Sequence, residues 1–234
     1  MLDVNIKDEE LFLECREITA AVRKPGSGLV VGATQLEPSS EGVVYATGTV
    51  MDSLDTNFMY RIKRYDLDSG EERPLTFGPG NDHMPKISPD GGTLAFLSDR
   101  KQAGSFQLYF LDLGTGEVRS GPAVDGWVEY LHWSPSGSRL LLGVAGHGAD
   151  VAGAQGAVTA KRSAADIEDW MPSVETGDET FRARSLWIAD PQGDAVQVTL
   201  SGRNPWEAVW CGDDALAAIA SQGSAEADWY SATV

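Results

Sequence analysis

Between residues 166 and 179 the chain carries Asp166, Glu168, Asp169, Glu175, Asp178 and Glu179, with Trp170 directly after the first three. Carboxylates beside an indole face make a setting for a cation, because charge-assisted hydrogen bonds and the ring quadrupole both favour an ammonium group. The free amine of a peptide is such a cation, so Glu168, Asp169 and Trp170 are the candidate substrate-binding residues. The same acids would be equally at home on a solvated loop.

Residues for bond-breaking chemistry are harder to find. The sequence contains no Gly-x-Ser-x-Gly elbow, no Gly-x-x-x-x-Gly-Lys-Ser/Thr phosphate loop and no His-Glu-x-x-His pair. His83 and His132 flank runs that read as strands, and His147 opens a Gly-rich stretch; none has a Ser or Cys in a recognisable arrangement nearby. PGSGL, at 25–29, does not follow a clear strand and open a helix, so it reads as a turn. Cys15 and Cys211 have no metal-ligand spacing, and two thiols so far apart in sequence give no reason to expect a bridge. The reading is of a chain with no catalytic residue, cofactor or metal site of its own.

Charge narrows the partners. The 234 residues carry a formal net charge of -17, from 18 Lys plus Arg against 35 Asp plus Glu, which repels a phosphate backbone or an anionic membrane. The densest basic stretch is Arg61, Lys63 and Arg64, and strand alternation puts Arg61 and Lys63 on one face, read here as solvated surface. Neither nucleic acid nor membrane is therefore an expected partner. MLDVNIKDEELF has acids where a signal peptide needs basic residues, and no later run approaches the roughly 20 apolar residues of a membrane span. With Met1 as the natural start, the expected location is cytoplasmic.

What positions the acidic cluster emerges from a repeat. ISPDGG (87–92) and WSPSGS (133–138) are the same turn met twice, with Pro89 and Pro135 46 residues apart. Proline presets φ for the first bend and glycine accepts the positive φ at its exit. Asp66 in RYDLDSGEE and Asp112 in FLDLGTGEV share that period of 46, and a third copy, WIADPQGDAVQVT, places Asp190 78 residues after Asp112. The later unit thus holds an insertion of about 30 residues against a period of about 40 to 50. Each Asp is suited to accept hydrogen bonds from the turn that follows it.

The best-defined unit contains four short runs: MPKIS (84–88), TLAFLSD (93–99), FQLYFLDL (106–113) and EVRSGPAV (117–124). β-branched and aromatic residues between Pro-Asp-Gly and Gly-Thr-Gly punctuation predict strands, with Pro74 and Pro122 in fourth, edge strands. Trp133 and Trp210 occupy matching first-strand positions, which points to packing between units. Consecutive four-stranded antiparallel units of this period are the blades of a β-propeller.

The expected fold is all-β: a partial β-propeller of about three blades plus the start of a fourth. The blades are placed near 30–78, 84–124, 128–202 and 205–234, with the insertion at 147–184 between the second and third strands of its blade. Gly and Ala dominate the first part of that insertion, at 147–165, which reads as a mobile loop. ADWYSATV is expected as a third strand of the last blade, which then looks incomplete and open to self-association or to pairing with the rest of the parent protein. Residues 1–29 form a separate segment, with a short amphipathic helix from the spacing of Leu11, Cys15, Ile18 and Val22.

SPDGGTLAFLSDR followed by LYFLDLGTGEV resembles the propeller repeats of prolyl oligopeptidase family serine peptidases, and also those of the Tol-system propeller protein. EDWMPSVETGDETFRARSLWIAD (168–190), a long interruption within one blade, resembles the acylaminoacyl-peptidase and dipeptidyl-peptidase-like members. The resemblance implies an N-terminal propeller that gates and positions peptide substrate for a C-terminal α/β-hydrolase domain, the bearer of the catalytic residues. The alternative is a stand-alone binding or scaffold propeller.

Overall fold

The computed structural model describes residues 6–23, 32–147, 149, 182–199 and 201–234. A 3₁₀ turn (Ile6–Asp8) and helix α1 (Glu10–Arg23) precede four antiparallel sheets. The first runs β1 (Gly32–Pro38), β2 (Val43–Val50), β3 (Met59–Asp66), β4 (Glu72–Pro74); the second, β5 (Asp82–Ile87), β6 (Thr93–Ser98), β7 (Gln107–Asp112), β8 (Val118–Ser120). The third runs β9 (Trp127–Trp133), β10 (Leu140–Ala145), β11 (Ser185–Ala189), β12 (Ala195–Gln197), and the fourth pairs β13 (Asn204–Trp210) with β14 (Leu216–Ser221). Neighbours in sequence are neighbours in each sheet, the meander of a propeller blade. The fold is a partial β-propeller.

Two compact units divide the chain, Met1–Pro85 and Lys86–Val234. In the first, the basic residues expected at the surface are buried: Lys63 is 1% exposed and paired with Glu72 at 2.8 Å. Arg61, also buried, donates to the carbonyls of Gly78 and Gly80. Alternation put both side chains on one face correctly, but the loop after β4 supplies the carbonyls that let a guanidinium be buried there. Helix α1 keeps Leu11, Ile18 and Val22 exposed, while Arg16 pairs with Asp55 at 2.6 Å and Arg23 lies over Phe58. Cys15, on this helix, is exposed.

In the second unit the two Ser-Pro turns close identically. Ser88 N–H donates to Thr93 and Gly91 N–H to Ser88, each at 2.8 Å; Ser134, Arg139 and Gly137 repeat both bonds at the same lengths. Gly91 and Gly137 sit at φ 76° and 74°, where a side chain would be strained. The hairpin aspartates also serve their turns. Asp112 Oδ1 accepts from Gly114 and Thr115, as Asp66 Oδ1 accepts from Ser69 in the first unit. These N–H donors hold Asp66 down to about 2 and Asp112 below the usual carboxylate range.

Successive sheets of this unit are joined by a repeated device. Trp133, at the end of β9, donates its indole N–H to the carbonyl of Lys86 in β5 at 2.9 Å. Trp210, at the end of β13, does the same to His132 in β9 at 3.0 Å. Leu140, Leu141 and Leu142 in the middle of the stack have no exposed surface. At about 25 cal/mol per Å² of apolar surface, burying each such leucine contributes roughly 1.5–3 kcal/mol.

The fourth sheet departs from expectation. Residues 227–231 of the stretch expected as a strand lie in a 3₁₀ helix (Glu226–Ser231), and among the described residues only Thr233 of that stretch bridges β14, at Ala220. Asp228 explains this: its carboxylate accepts the Ala225 N–H and its own N–H donates to Ala225, closing a turn that an extended chain cannot make. Pro122 likewise lies beyond β8, whereas Pro74 ends β4.

Candidate functional site: the foot of the insertion

The insertion leaves the third sheet after β10 and returns just before β11. Glu168, Asp169 and Trp170, the other acids of the cluster, and most of the Gly- and Ala-rich stretch lie outside the described residues, as does PGSGL. The foot of the insertion is described, and it is built around an arginine.

Strand β9, WVEYLHW, is bulged. Gly143 of β10 faces Tyr130 and Val144 faces Val128, so Glu129 is the extra residue. Strand β13 is bulged in the same way, leaving Trp206 between the pairs made by Pro205 and Glu207. Glu129 and Trp206 are 77 residues apart, the same separation as Trp133 and Trp210. A bulge bends its strand and re-aims the extra side chain. Here two consecutive sheets turn a carboxylate and an indole toward one arginine.

Arg184 stands between them. Its Nε donates to Glu129 Oε2 at 2.8 Å and an Nη to Oε1 at 3.2 Å, while its guanidinium carbon lies 4.7 Å from the Trp206 ring centroid. Both side chains of the pair are almost wholly buried, at 2% and 3% exposure. The Arg184 backbone N–H donates to Asn204 Oδ1 at 2.6 Å, and Trp206 donates its indole N–H to Ser221 Oγ at 2.8 Å. Burial pushes the Glu129 carboxyl upward, with the Arg184 hydrogen bonds pulling the other way. The neighbouring Tyr130 phenol is also raised, first by burial and then by Glu129.

Two residues earlier, Arg182 makes an exposed pair with Asp125 at 3.0 Å, just before β9. On the outgoing side the His147 ring lies 5.9 Å from Trp127. Gly126 brings the backbone of this entry against Ala145, at a φ of 133° that L side chains avoid. Outgoing and returning chain are therefore both fixed against β9 and the loop before it.

Chemically the arrangement anchors. Both Glu129 oxygens are engaged by a guanidinium that keeps its proton, which leaves neither a general base nor an open cation site. Ser185 accepts from Trp187, and Ser221 donates to the Gly223 carbonyl; these contacts do not activate a nucleophile. Among the described residues no group of His, Cys, Asp and Glu has metal-ligand geometry. His132 gives its backbone carbonyl to Trp210, His83 is buried in β5, and Cys211 is exposed after β13. Glu129, Arg184, Asn204 and Trp206 were not singled out by sequence reasoning. The 77-residue offset that pairs the tryptophans would also have aligned Glu129 with Trp206.

No family model matches the chain. It is 33% identical over 110 residues to the uncharacterized peptidase YuxL of Bacillus subtilis, covering 47% of this chain and 16% of that protein. It is also 33% identical over 131 residues to dipeptidyl-peptidase 5 of Porphyromonas gingivalis, covering 52% and 18%. The β-propeller domain of the Trilobed protease from Pyrococcus furiosus superimposes with a TM-score of 0.50 at 15% identity, over 82% of this chain and 49% of that one. The chain has a propeller fold and is similar in sequence to peptidases. This peptidase-type propeller spans less than a fifth of the length of the curated relatives it matches. Among its described helices none is long and apolar enough to cross a membrane.

Proposed function

We propose that this chain is the non-catalytic propeller of a serine peptidase, gating and positioning peptide substrate for a C-terminal α/β-hydrolase domain. The observation that carries the reading is the 33% identity to two peptidases across about half of a chain built from propeller sheets. The missing nucleophile elbow supports a division of labour in which the Ser, Asp and His belong elsewhere. In this reading Glu168, Asp169 and Trp170 receive the free amine of the peptide. The Arg182–Asp125 and Arg184–Glu129 pairs hold the returning end of their loop, and His147 against Trp127 holds the outgoing end, so that substrate contacts start from a preorganised base.

Two measurements test this. The purified chain, incubated with a serine-reactive fluorophosphonate and with acyl-peptide and aminoacyl anilides, should neither label nor turn over; specific labelling removes the proposal. Tryptophan fluorescence titrations should then show a free-amine peptide binding more tightly than its acetylated form. Replacing Glu168 and Asp169 together with alanine should erase that preference, and an unchanged preference returns the loop to a solvated acidic surface.

A further inference from the structure

Both gaps between successive sheets of the second unit are crossed by a tryptophan at the turn end, yet the two gaps are filled differently. Between the third and fourth sheets the filler is Arg139. Its guanidinium carbon lies 5.6 Å from the Trp210 ring centroid, and an Nη donates to the carbonyl of Asp213 and, at 3.2 Å, to Asp214 Oδ1. An arginine of the preceding sheet thus closes that gap, held by an indole face, a turn carbonyl and a carboxylate.

Between the second and third sheets, both four-stranded, the corresponding residue is Thr93. The match is fixed by hydrogen bonds: Ser88 N–H donates to the Thr93 carbonyl as Ser134 N–H donates to that of Arg139, both at 2.8 Å. Trp133 corresponds to Trp210, and Ser136 to Asp213, at one separation of 77. Threonine ends at Cγ, and a hollow of about 320 Å³ lies beside it, bordered by Trp133 and Ser136. The Trp133 ring meets Phe110 at a tilt of 47° and also borders the hollow. Asp90 and Asp190 line it as well, with Arg119 the one cation among the lining residues. Ser88 Oγ and the Gly92 N–H hold the Asp90 carboxyl below the usual range, so it is charged at neutral pH. Arg119 is already engaged: Nη1 donates to the Pro191 carbonyl at 2.9 Å, and its guanidinium carbon lies 4.2 Å from the Phe110 ring centroid. The lining therefore sets two carboxylates against one guanidinium.

We propose that this hollow is a binding site for the guanidinium group of an arginyl residue in a peptide ligand. The Trp133 ring meets its planar face, as Trp210 meets that of Arg139. The Ser136 carbonyl and the Asp90 and Asp190 carboxylates accept its N–H groups, the part that Asp213 and Asp214 play one gap further on. A guanidinium suits the site better than an ammonium group, because a flat, delocalised cation stacks on an indole and spreads its five donors over acceptors on different walls. None of the residues proposed to receive a peptide amine takes part, so this site is independent of that reading.

The probe is N-acetylarginine amide, whose blocked amine gives Glu168 and Asp169 no ammonium group to hold. Titrated into the purified, isotope-labelled chain, it should shift the NMR signals of the Gly137 amide and the Trp133 indole N–H saturably. N-acetylcitrulline amide, nearly equal in shape and uncharged, should bind about tenfold more weakly or worse. Asp190→Asn should weaken the arginine probe by a similar factor with the unfolding midpoint retained. Thr93→Arg places the chain's own guanidinium where Arg139 stands in the next gap, so it should abolish probe binding with a midpoint at or above that of the parent. Should that variant fold poorly, Asp190→Asn decides. Four results overturn the proposal: no saturable shift with the arginine probe, equal binding of the citrulline probe, or a folded Thr93→Arg or Asp190→Asn that binds as the parent does. Free arginine binding more tightly than the blocked probe is the fourth, since it would make the ligand a small zwitterion rather than a peptide residue.

Discussion

Removing one partner of the Glu129–Arg184 pair should cost stability in a way that depends on which partner is removed and on pH. With Arg184→Met, Glu129 stays buried without its guanidinium. Burial already raises this carboxyl against the pull of Arg184, and without that pull it rises further. Each pH unit by which the folded pKa exceeds the ordinary one costs about 1.4 kcal/mol at pH values above both. The sign follows from linkage. A folded pKa above the unfolded one means that the stability deficit is small below the ordinary carboxylate range and grows as pH rises toward the folded value. With Glu129→Gln the stranded group is the Arg184 guanidinium, so the loss is about 3–5 kcal/mol where the parent's Glu129 is ionised. The double variant Glu129→Leu with Arg184→Met strands no charge and should lie close to the parent, or above it. Urea unfolding followed by tryptophan fluorescence at pH 5, 6, 7 and 8, each variant against the parent at the same pH, reads all three. A pH-independent Arg184→Met would refute the claim that the pair is desolvated.

Other outcomes follow from single contacts. Gly143→Ala drives a methyl into the Tyr130 ring and should destabilise the second unit by several kcal/mol, seen as loss of slow amide exchange in β9 and β10. Trp210→Phe removes the indole bond to His132 while keeping most of the apolar contact, for a loss of about 1 kcal/mol in urea unfolding. Asp66 and Asp112 have lowered pKa values, so the stability they contribute is complete above the ordinary carboxylate pKa and disappears as pH falls through their folded values, about 2 for Asp66. Replacing both with alanine should flatten that acid limb of the pH–stability curve, and an unchanged slope would show that the turn bonds do not matter.

Most of the architecture was legible because it repeats. Pro89 with Pro135, and Asp66 with Asp112, gave the period; the turns and hairpins they mark are local, so residue type alone decides them. The failures have a common physical form. Arg61 and Lys63 sat on one strand face as read, but whether that face meets water depends on Glu72 and on the Gly78 and Gly80 carbonyls, which no alternation rule brings there. ADWYSATV has the aromatic content of a strand, yet one carboxylate, Asp228, closing back on Ala225 is enough to bend it into a 3₁₀ turn.

The candidate site was illegible for a further reason: it depends on bulges. Read with strict period two, WVEYLHW puts Glu129 on the same face as Trp127 and Leu131, a sequence violation with no visible partner. The structure resolves the violation by an extra residue in β9 and a matching one in β13, so that Glu129 and Trp206 converge on Arg184, 55 residues beyond Glu129 in the chain. A charged residue that breaks a strand pattern at a position where the next repeat carries an aromatic is therefore informative. It marks the point where two sheets share a ligand neither could bury alone, and here the shared ligand is the arginine that ends the insertion.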